Sequence, residues 1–135
     1  MSVEANKMLV RDFYEAIERR DYEAVAEFCH DEFNFHVHVD RPLPGAAGLV
    51  DSEKKNFDMF DHFSFKIHEL LAEGDRVAAY MIFEGVQART IEGVRVNGGL
   101  VRFSLMMLLK VKEGKIFERR AHFDAKDVDS QLVAA

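Results

Sequence analysis

Near residue 60 the spacing of apolar residues changes from about 3.6 to about 2, and this change of period constrains the fold more than any other feature of the chain. Before it, Leu9, Val10, Phe13, Ala16 and Ile17 form one stripe at helical spacing between about Val3 and Arg20, with Ser2 placed as an N-cap. Asp21 is positioned to cap a second, shorter helix through Cys29, and a third helix is expected from about Leu49 to Phe60. Between them, FNFHVHV alternates Phe33, Phe35, Val37 and Val39 against Asn34, His36 and His38, which is the period of a strand. After residue 60, FSFKIHELLAE, RVAAYMIFEGVQA, GLVRFSLMMLLKV and KIFERRAHFDA are separated by the turn segments EGD, IEGVRVNG and KEG. Four such runs predict an antiparallel meander. The final AKDVDSQLVAA reads as one helical turn or a tail.

Helices gathered first and strands last predict an α+β fold rather than βαβ winding. No repeat, low-complexity tract or linker divides the 135 residues, so a single domain spanning residues 1–135 is expected. The loop DRPLPGAAG holds both prolines, Pro42 and Pro44, and is a natural pocket rim. From Leu100 to Val111 both faces of the strand are apolar, so both need cover. Helices can supply it on one side and a second subunit on the other, which predicts a homodimer.

Charge and composition narrow the partners. The formal charge is −6 and no Lys/Arg cluster exceeds a pair, so neither nucleic acid nor an anionic membrane surface is an expected partner. No segment approaches the uninterrupted apolar length of a membrane span, and the opening MSVEANKMLVRDFYEA lacks the pattern of a secretory signal, so a cytoplasmic protein is expected. The single cysteine, Cys29, falls on the apolar face of the second helix and reads as a buried, inert thiol. No phosphate-binding loop, dinucleotide fingerprint or serine elbow is present, leaving phosphoryl, hydride and serine-ester chemistry unsupported.

The order and spacing of LVRDFYEAIERRDYEAVAEF, EFNFH, AEGDRVAAY, EGVRVNGGLV and EGKIFERRAHFD, ahead of Gln131 and Leu132, resemble the SnoaL-like polyketide cyclases. That family lies within the nuclear-transport-factor-like and ketosteroid-isomerase-like superfamily, and the resemblance covers nearly the whole chain. It implies a cone formed by a curved antiparallel sheet wrapped around the N-terminal helices, with a blind pocket between them. It also implies that a carboxylate on the last strand is the acid/base group, which is Asp124 when counted back from Gln131, and that His36 in EFNFH lines the pocket. Arg120 and His122 stand where the family often has tryptophan and a small or apolar residue, departures that bear on the substrate.

Each candidate has a plainer alternative. Asp124 in an apolar cavity would hold a proton near neutral pH, yet it also lies where a strand ends and a helical turn begins, the place of an N-cap. His122, roughly 7 Å from Asp124 along the same strand face, either joins its proton network or is an exposed strand histidine. Arg120 continues that face, where it pairs with neighbouring charges or, if inward, suits a carboxylate or enolate. Tyr14 borders the apolar stripe of the first helix, either reaching the cavity with its hydroxyl or packing in the core. His36 and His38 form an H-x-H that is weak as a metal motif without a third ligand, so no metal is expected. Phe57, Phe60, Met81 and Phe83 form a pocket wall or simply core.

Together these readings predict a cofactor-independent acid/base enzyme of the isomerase, cyclase or dehydratase type acting on a small, apolar carbonyl compound. Asp124, His36, His122 and Tyr14 would be catalytic, and His38, Arg120, Phe57, Phe60, Met81 and Phe83 would bind the ligand. A non-catalytic ligand-binding or accessory protein of the same fold is the alternative.

Overall fold

The computed structural model describes residues 2–36, 39, 43–88 and 99–132, so His38 lies outside the described residues. Helix α1 spans Val3–Glu18 and begins where the Ser2 hydroxyl accepts a hydrogen bond from the Ala5 N–H at 3.1 Å. That bond satisfies one of the amides a helix start leaves unpaired. Its stripe of Val10, Phe13, Tyr14, Ala16 and Ile17 is buried, and the helix packs on the first long strand of the meander. Helix α2, Tyr22–Phe28, is capped by the Asp21 carboxylate accepting from the Ala24 N–H at 3.2 Å.

Between these helices Arg20 takes the left-handed conformation, with φ of 59°. Such a backbone is mildly costly for a residue with a Cβ, and here it aims the guanidinium across the molecule. Arg20 donates to the carbonyls of Phe57 at 3.3 Å and of Phe60, and it lies 4.9 Å from the centroid of the Phe63 ring. Helix α3, Ala46–Phe57, is therefore held at its C-terminal end by a residue that closes the α1–α2 turn.

The strands are β1 (Cys29–His36), β2 (Leu43–Pro44), β3 (Phe60–Glu73), β4 (Arg76–Gln87), β5 (Leu100–Lys112) and β6 (Lys115–Phe123). They form one sheet in the order β2-β1-β6-β5-β4-β3. From β3 to β6 the sheet is the antiparallel meander that the turn segments predict, while β1 lies parallel to β6. The architecture is α+β, a curved sheet closing around the helices.

Side chains alternate across the sheet. Val77, Ala79, Met81 and Phe83 of β4 and Val101, Leu105, Met107 and Leu109 of β5 turn inward and are buried. On the other face of β5, Met106 and Leu108 are exposed, as is Leu71 on β3. A row of paired residues, Leu71, Ala78, Leu108 and Arg120, crosses β3 to β6 on this outer face.

One irregularity decides which side chains of β6 enter the interior. Val111 pairs with Ile116 but Lys110 pairs with Glu118, so Phe117 is an extra residue in β6. A bulge of this kind reverses the alternation beyond it. Ile116 is buried, and so are Arg119 and Ala121, whereas Glu118, Arg120 and His122 turn to the outer face. Uninterrupted alternation from Ile116 would place Arg120, His122 and Asp124 inside; the bulge corrects that expectation.

Helix α4, Ala125–Leu132, makes two turns rather than one and buries no side chain fully. Asp124 is its exposed cap, its carboxylate accepting from the Lys126 and Asp127 amides at 3.0 and 3.1 Å. At its far end the Gln131 side-chain amide accepts from the Arg102 N–H at 2.7 Å and donates to the Arg102 carbonyl at 2.9 Å. Among the described residues no helix is long and apolar enough to cross a membrane.

Two outcomes follow from this packing. A Cβ on Gly85 would sit 2.9 Å from Phe60 Cδ1 and 3.1 Å from Phe63 Cβ, closer than packed carbons tolerate. Gly85→Ala should therefore lower stability by about 1–3 kcal/mol in urea unfolding, and a change within experimental error would contradict the close approach. Burial pushes the Cys29 thiol up to about 12, against the opposing charges of Arg119 and Lys115, and Sγ lies 3.4 Å from the Val25 carbonyl oxygen. Because the thiolate is the reactive form, the folded chain at pH 8 should react with an aromatic disulfide reagent orders of magnitude more slowly than the unfolded chain. The native rate should rise with pH; rapid, pH-independent labelling would show that the thiol is not held in its buried state.

Candidate functional site

A cavity of about 190 Å³ lies between the inner face of the sheet, α3 and α4. Its walls are aromatic: Phe35 of β1, Phe60 and Phe65 of β3, Phe83 of β4, Phe103 of β5 and Phe123 of β6 face Phe57 of α3. The rings brace one another. Phe57 stacks on Phe63 with centroids 4.5 Å apart and on Phe83 at 5.6 Å, while Phe83 meets Phe60 edge-on at 5.0 Å.

The polar groups gather on α3 and β6. Leu49, Glu53 and Phe57 lie four residues apart on one buried stripe of α3, so the Glu53 carboxylate enters an otherwise apolar face. There the Arg119 Nη2 group donates to Glu53 Oε1 at 3.2 Å, and the two residues are only 6% and 4% exposed. Arg119 Nε–H also points to the Tyr14 hydroxyl oxygen at 3.4 Å. One guanidinium thus joins α1, α3 and β6. Ser52 and Asn56 extend the polar end along α3.

Burial holds the Glu53 carboxyl above the usual carboxylate range, with the Arg119 charge pulling the other way. The Tyr14 phenol is likewise raised by burial and opposed by Arg119. For Arg119, burial acts to lower, but Glu53 and Tyr14 more than offset it, so the guanidinium stays charged. The site therefore sets a carboxyl whose proton is held more firmly than usual beside a fixed cation. Glu53 Oε2 and Arg119 Nη1 make no hydrogen bond among the described residues, and both residues line the cavity. They are available to a ligand.

A larger open hollow, about 470 Å³, lies beside Cys29, His30, Glu113 and Lys115. Two of its polar contacts are internal: His30 Nε2 is 3.2 Å from Glu113 Oε1, and Lys115 donates to the Glu27 carbonyl. The Phe-lined cavity is the better-built site because apolar walls converge there on uncommitted polar atoms.

Of the residues singled out from sequence, Phe57, Phe60 and Phe83 line this cavity, and Tyr14 stands behind it against Arg119. Met81 is fully buried in the core outside the lining. His36 is buried on the opposite side of β1 from Phe35, its Nε2 at 2.9 Å from Asn34 Oδ1 and its Nδ1 without a partner among the described residues. Arg120 pairs with Glu118 at 2.9 Å on the outer face, His122 is exposed there, and Asp124 caps α4. The pocket placement expected of Asp124, His122 and Arg120 is thus corrected by the bulge and the cap, and His36 faces away because strand alternation sends Phe35 inward. Among the described residues no group of three His, Cys, Asp or Glu side chains could hold a metal.

Sequence reasoning missed Glu53 and Arg119. Glu53 carried a signal, a carboxylate between Leu49 and Phe57 at helical spacing. Arg119 carried none, since its inward orientation depends on the extra residue in β6.

Comparison with known proteins places the fold. The structure superimposes on that of a candidate SnoaL-like polyketide cyclase from Jannaschia sp. CCS1 with a TM-score of 0.87 at 18% identity, covering 98% of this chain and 94% of that one. It matches TsrD from Streptomyces laurentii with a TM-score of 0.85 at 20% identity, covering 100% and 99% of the two chains. An LEH-like epoxide hydrolase of M. tuberculosis gives 0.74 at 19% identity, covering 97% and 91%. At these identities the likeness is one of fold. No curated protein matches the sequence. The family model described as SnoaL-like polyketide cyclase matches residues 7–132, nearly the whole chain, and the protein belongs to that family.

Proposed function

We propose that this protein is a cofactor-independent enzyme that moves a proton next to the carbonyl of a small, largely apolar compound, with Glu53 as the acid/base group. The observation that carries the reading is the buried Glu53–Arg119 pair at the polar end of a phenylalanine-lined cavity. In this scheme Glu53 Oε2 takes the proton from the carbon beside the carbonyl, and the carbonyl oxygen becomes an enolate oxygen. Arg119 donates to that oxygen, and Tyr14 holds the guanidinium in place. Returning the proton at another carbon completes an isomerisation. Attack of the enolate on a second carbonyl forms a carbon–carbon bond and an alkoxide, which takes the proton from Glu53 to complete a cyclisation. In a dehydration the enolate expels a hydroxyl from the next carbon, which takes that proton and leaves as water. The negative charge passes from Glu53 to the substrate beside one unchanging cation, so the cavity keeps its net charge throughout, which favours the transfer in a medium of low polarity.

The raised Glu53 carboxyl sets the sign of the pH dependence. The base must be ionised, so exchange activity should grow as pH rises through a value above the ordinary carboxylate range and then level off. Glu53→Gln keeps the shape but cannot cycle a proton, and it should lower exchange of ketone α-protons with deuterated water by about 10²–10⁴-fold. Asp124→Asn, a change of cap to an equally good cap, should leave exchange unaltered. Full activity in Glu53→Gln would remove Glu53 from the mechanism. The same ion pair also suits a protein that only binds its ligand, because it fastens α3 to β6; that reading predicts no exchange in the wild type.

We further propose that the chain forms a homodimer through the outer face of the sheet, supported by the exposed Met106, Leu108 and Leu71 around Ala78. Sedimentation should give a dimer at micromolar concentration, shifted towards monomer by Leu108→Glu. A wild-type monomer at all concentrations would overturn the proposal.

A further inference from the structure

Resting on that reading of the site, we infer that its substrate is a neutral ketone of a single ring with a short side chain, and neither a fused polycycle nor a carboxylate. Volume sets the first limit. An apolar cavity of about 150 Å³ is filled by benzene, so about 190 Å³ admits one ring and a few further atoms. The walls resist enlargement because their rings are held by one another. Phe57, Phe63 and Phe83 stack against one another in a triangle with centroids 4.5, 5.6 and 5.5 Å apart, and Phe103 meets Phe83 at 5.3 Å and Phe123 at 5.9 Å. Swinging one ring aside would open contacts at the next.

The distribution of polar groups sets the second limit. Glu53, Ser52 and Asn56 lie on α3 and Arg119 faces them from β6, while the strand-borne remainder of the lining is phenylalanine and aliphatic. A ketone oxygen at the Arg119 end is satisfied. Oxygens spread along a polycycle would lie unpaired against phenylalanine rings. Charge sets the third limit, because Glu53 in the ionised form that acts as base already balances Arg119, and the pair is nearly inaccessible to water. A substrate carboxylate would add a buried negative charge with no cation left to match it.

The test measures binding of acetophenone, 9-fluorenone and benzoate to the intact chain at pH 7.5 by calorimetry, with wild type, Glu53→Gln and Phe103→Ala compared. Wild type should bind acetophenone, and it should bind the three-ring 9-fluorenone and the anionic benzoate more than about tenfold more weakly. Removing the compensating carboxylate in Glu53→Gln should raise benzoate affinity relative to that of acetophenone. Phe103→Ala should admit 9-fluorenone; Phe103→Leu serves if the alanine variant does not fold. Wild type binding 9-fluorenone or benzoate as tightly as acetophenone would overturn the inference. Exchange of the acetophenone methyl protons is followed in the same samples. No exchange in wild type, or undiminished exchange in Glu53→Gln, with the binding order intact counts against Glu53 as the base and leaves the ligand class standing, whereas exchange with the order reversed overturns the ligand class alone.

Discussion

Arg119 cannot leave the interior without abandoning partners on two different helices. Its guanidinium is the one polar tie between the sheet and both Glu53 of α3 and Tyr14 of α1 among the described residues. The length of that tie sets how far α3 stands from the sheet, and so sets the width of the cavity. Buried ion pairs of this kind add little net stability over well-packed apolar residues. What the pair does contribute is position: a carboxyl and a cation held together where the other walls are mostly phenylalanine and aliphatic side chains.

A second arginine holds the C-terminal end of α3, one turn beyond Glu53. Arg20, held in a left-handed turn, grips the carbonyls of Phe57 and Phe60 and covers the Phe63 ring. Phe57 therefore enters the aromatic stack from a helix end that is anchored rather than frayed. Between Arg20 at its end and Arg119 one turn earlier, α3 has little freedom to shift along its axis. The rigidity of the ring cluster and the geometry of the polar end thus have a common origin in how this one helix is fastened.

Much of the fold was legible in the chain, and the reasons are local. The switch of apolar period, the Ser2 and Asp21 caps and the EGD and KEG turns each act within a few residues, and each appears where it was expected. The ends of α3 were harder, since Gly45, with φ of 85°, precedes a helix that begins at Ala46, three residues before Leu49, without a side-chain cap. The cavity was half legible: Phe57, Phe60 and Phe83 follow from hydrophobicity and strand alternation. Its polar end was not, because the facing of Arg119 depends on pairing with β5, a contact between strands that no window of sequence contains. His36 shows the same limit from the other side, where a local alternation correctly turned Phe35 inward but a likeness to other chains drew its neighbour in as well.

The extra residue in β6 carries a meaning for divergence. Phe117 separates two sets of side chains, Arg119 with Ala121 and Arg120 with His122, of which only the first now faces the helices. A relative that kept every residue of β6 but paired it without the bulge would slip the register by one and exchange the sets without a single substitution, bringing an imidazole inward and sending Arg119 out. In a sheet of this shape the gain or loss of a bulge is consequently a larger chemical step than a point mutation. Chains that align residue for residue along β6 can still differ in which of those residues their ligands meet.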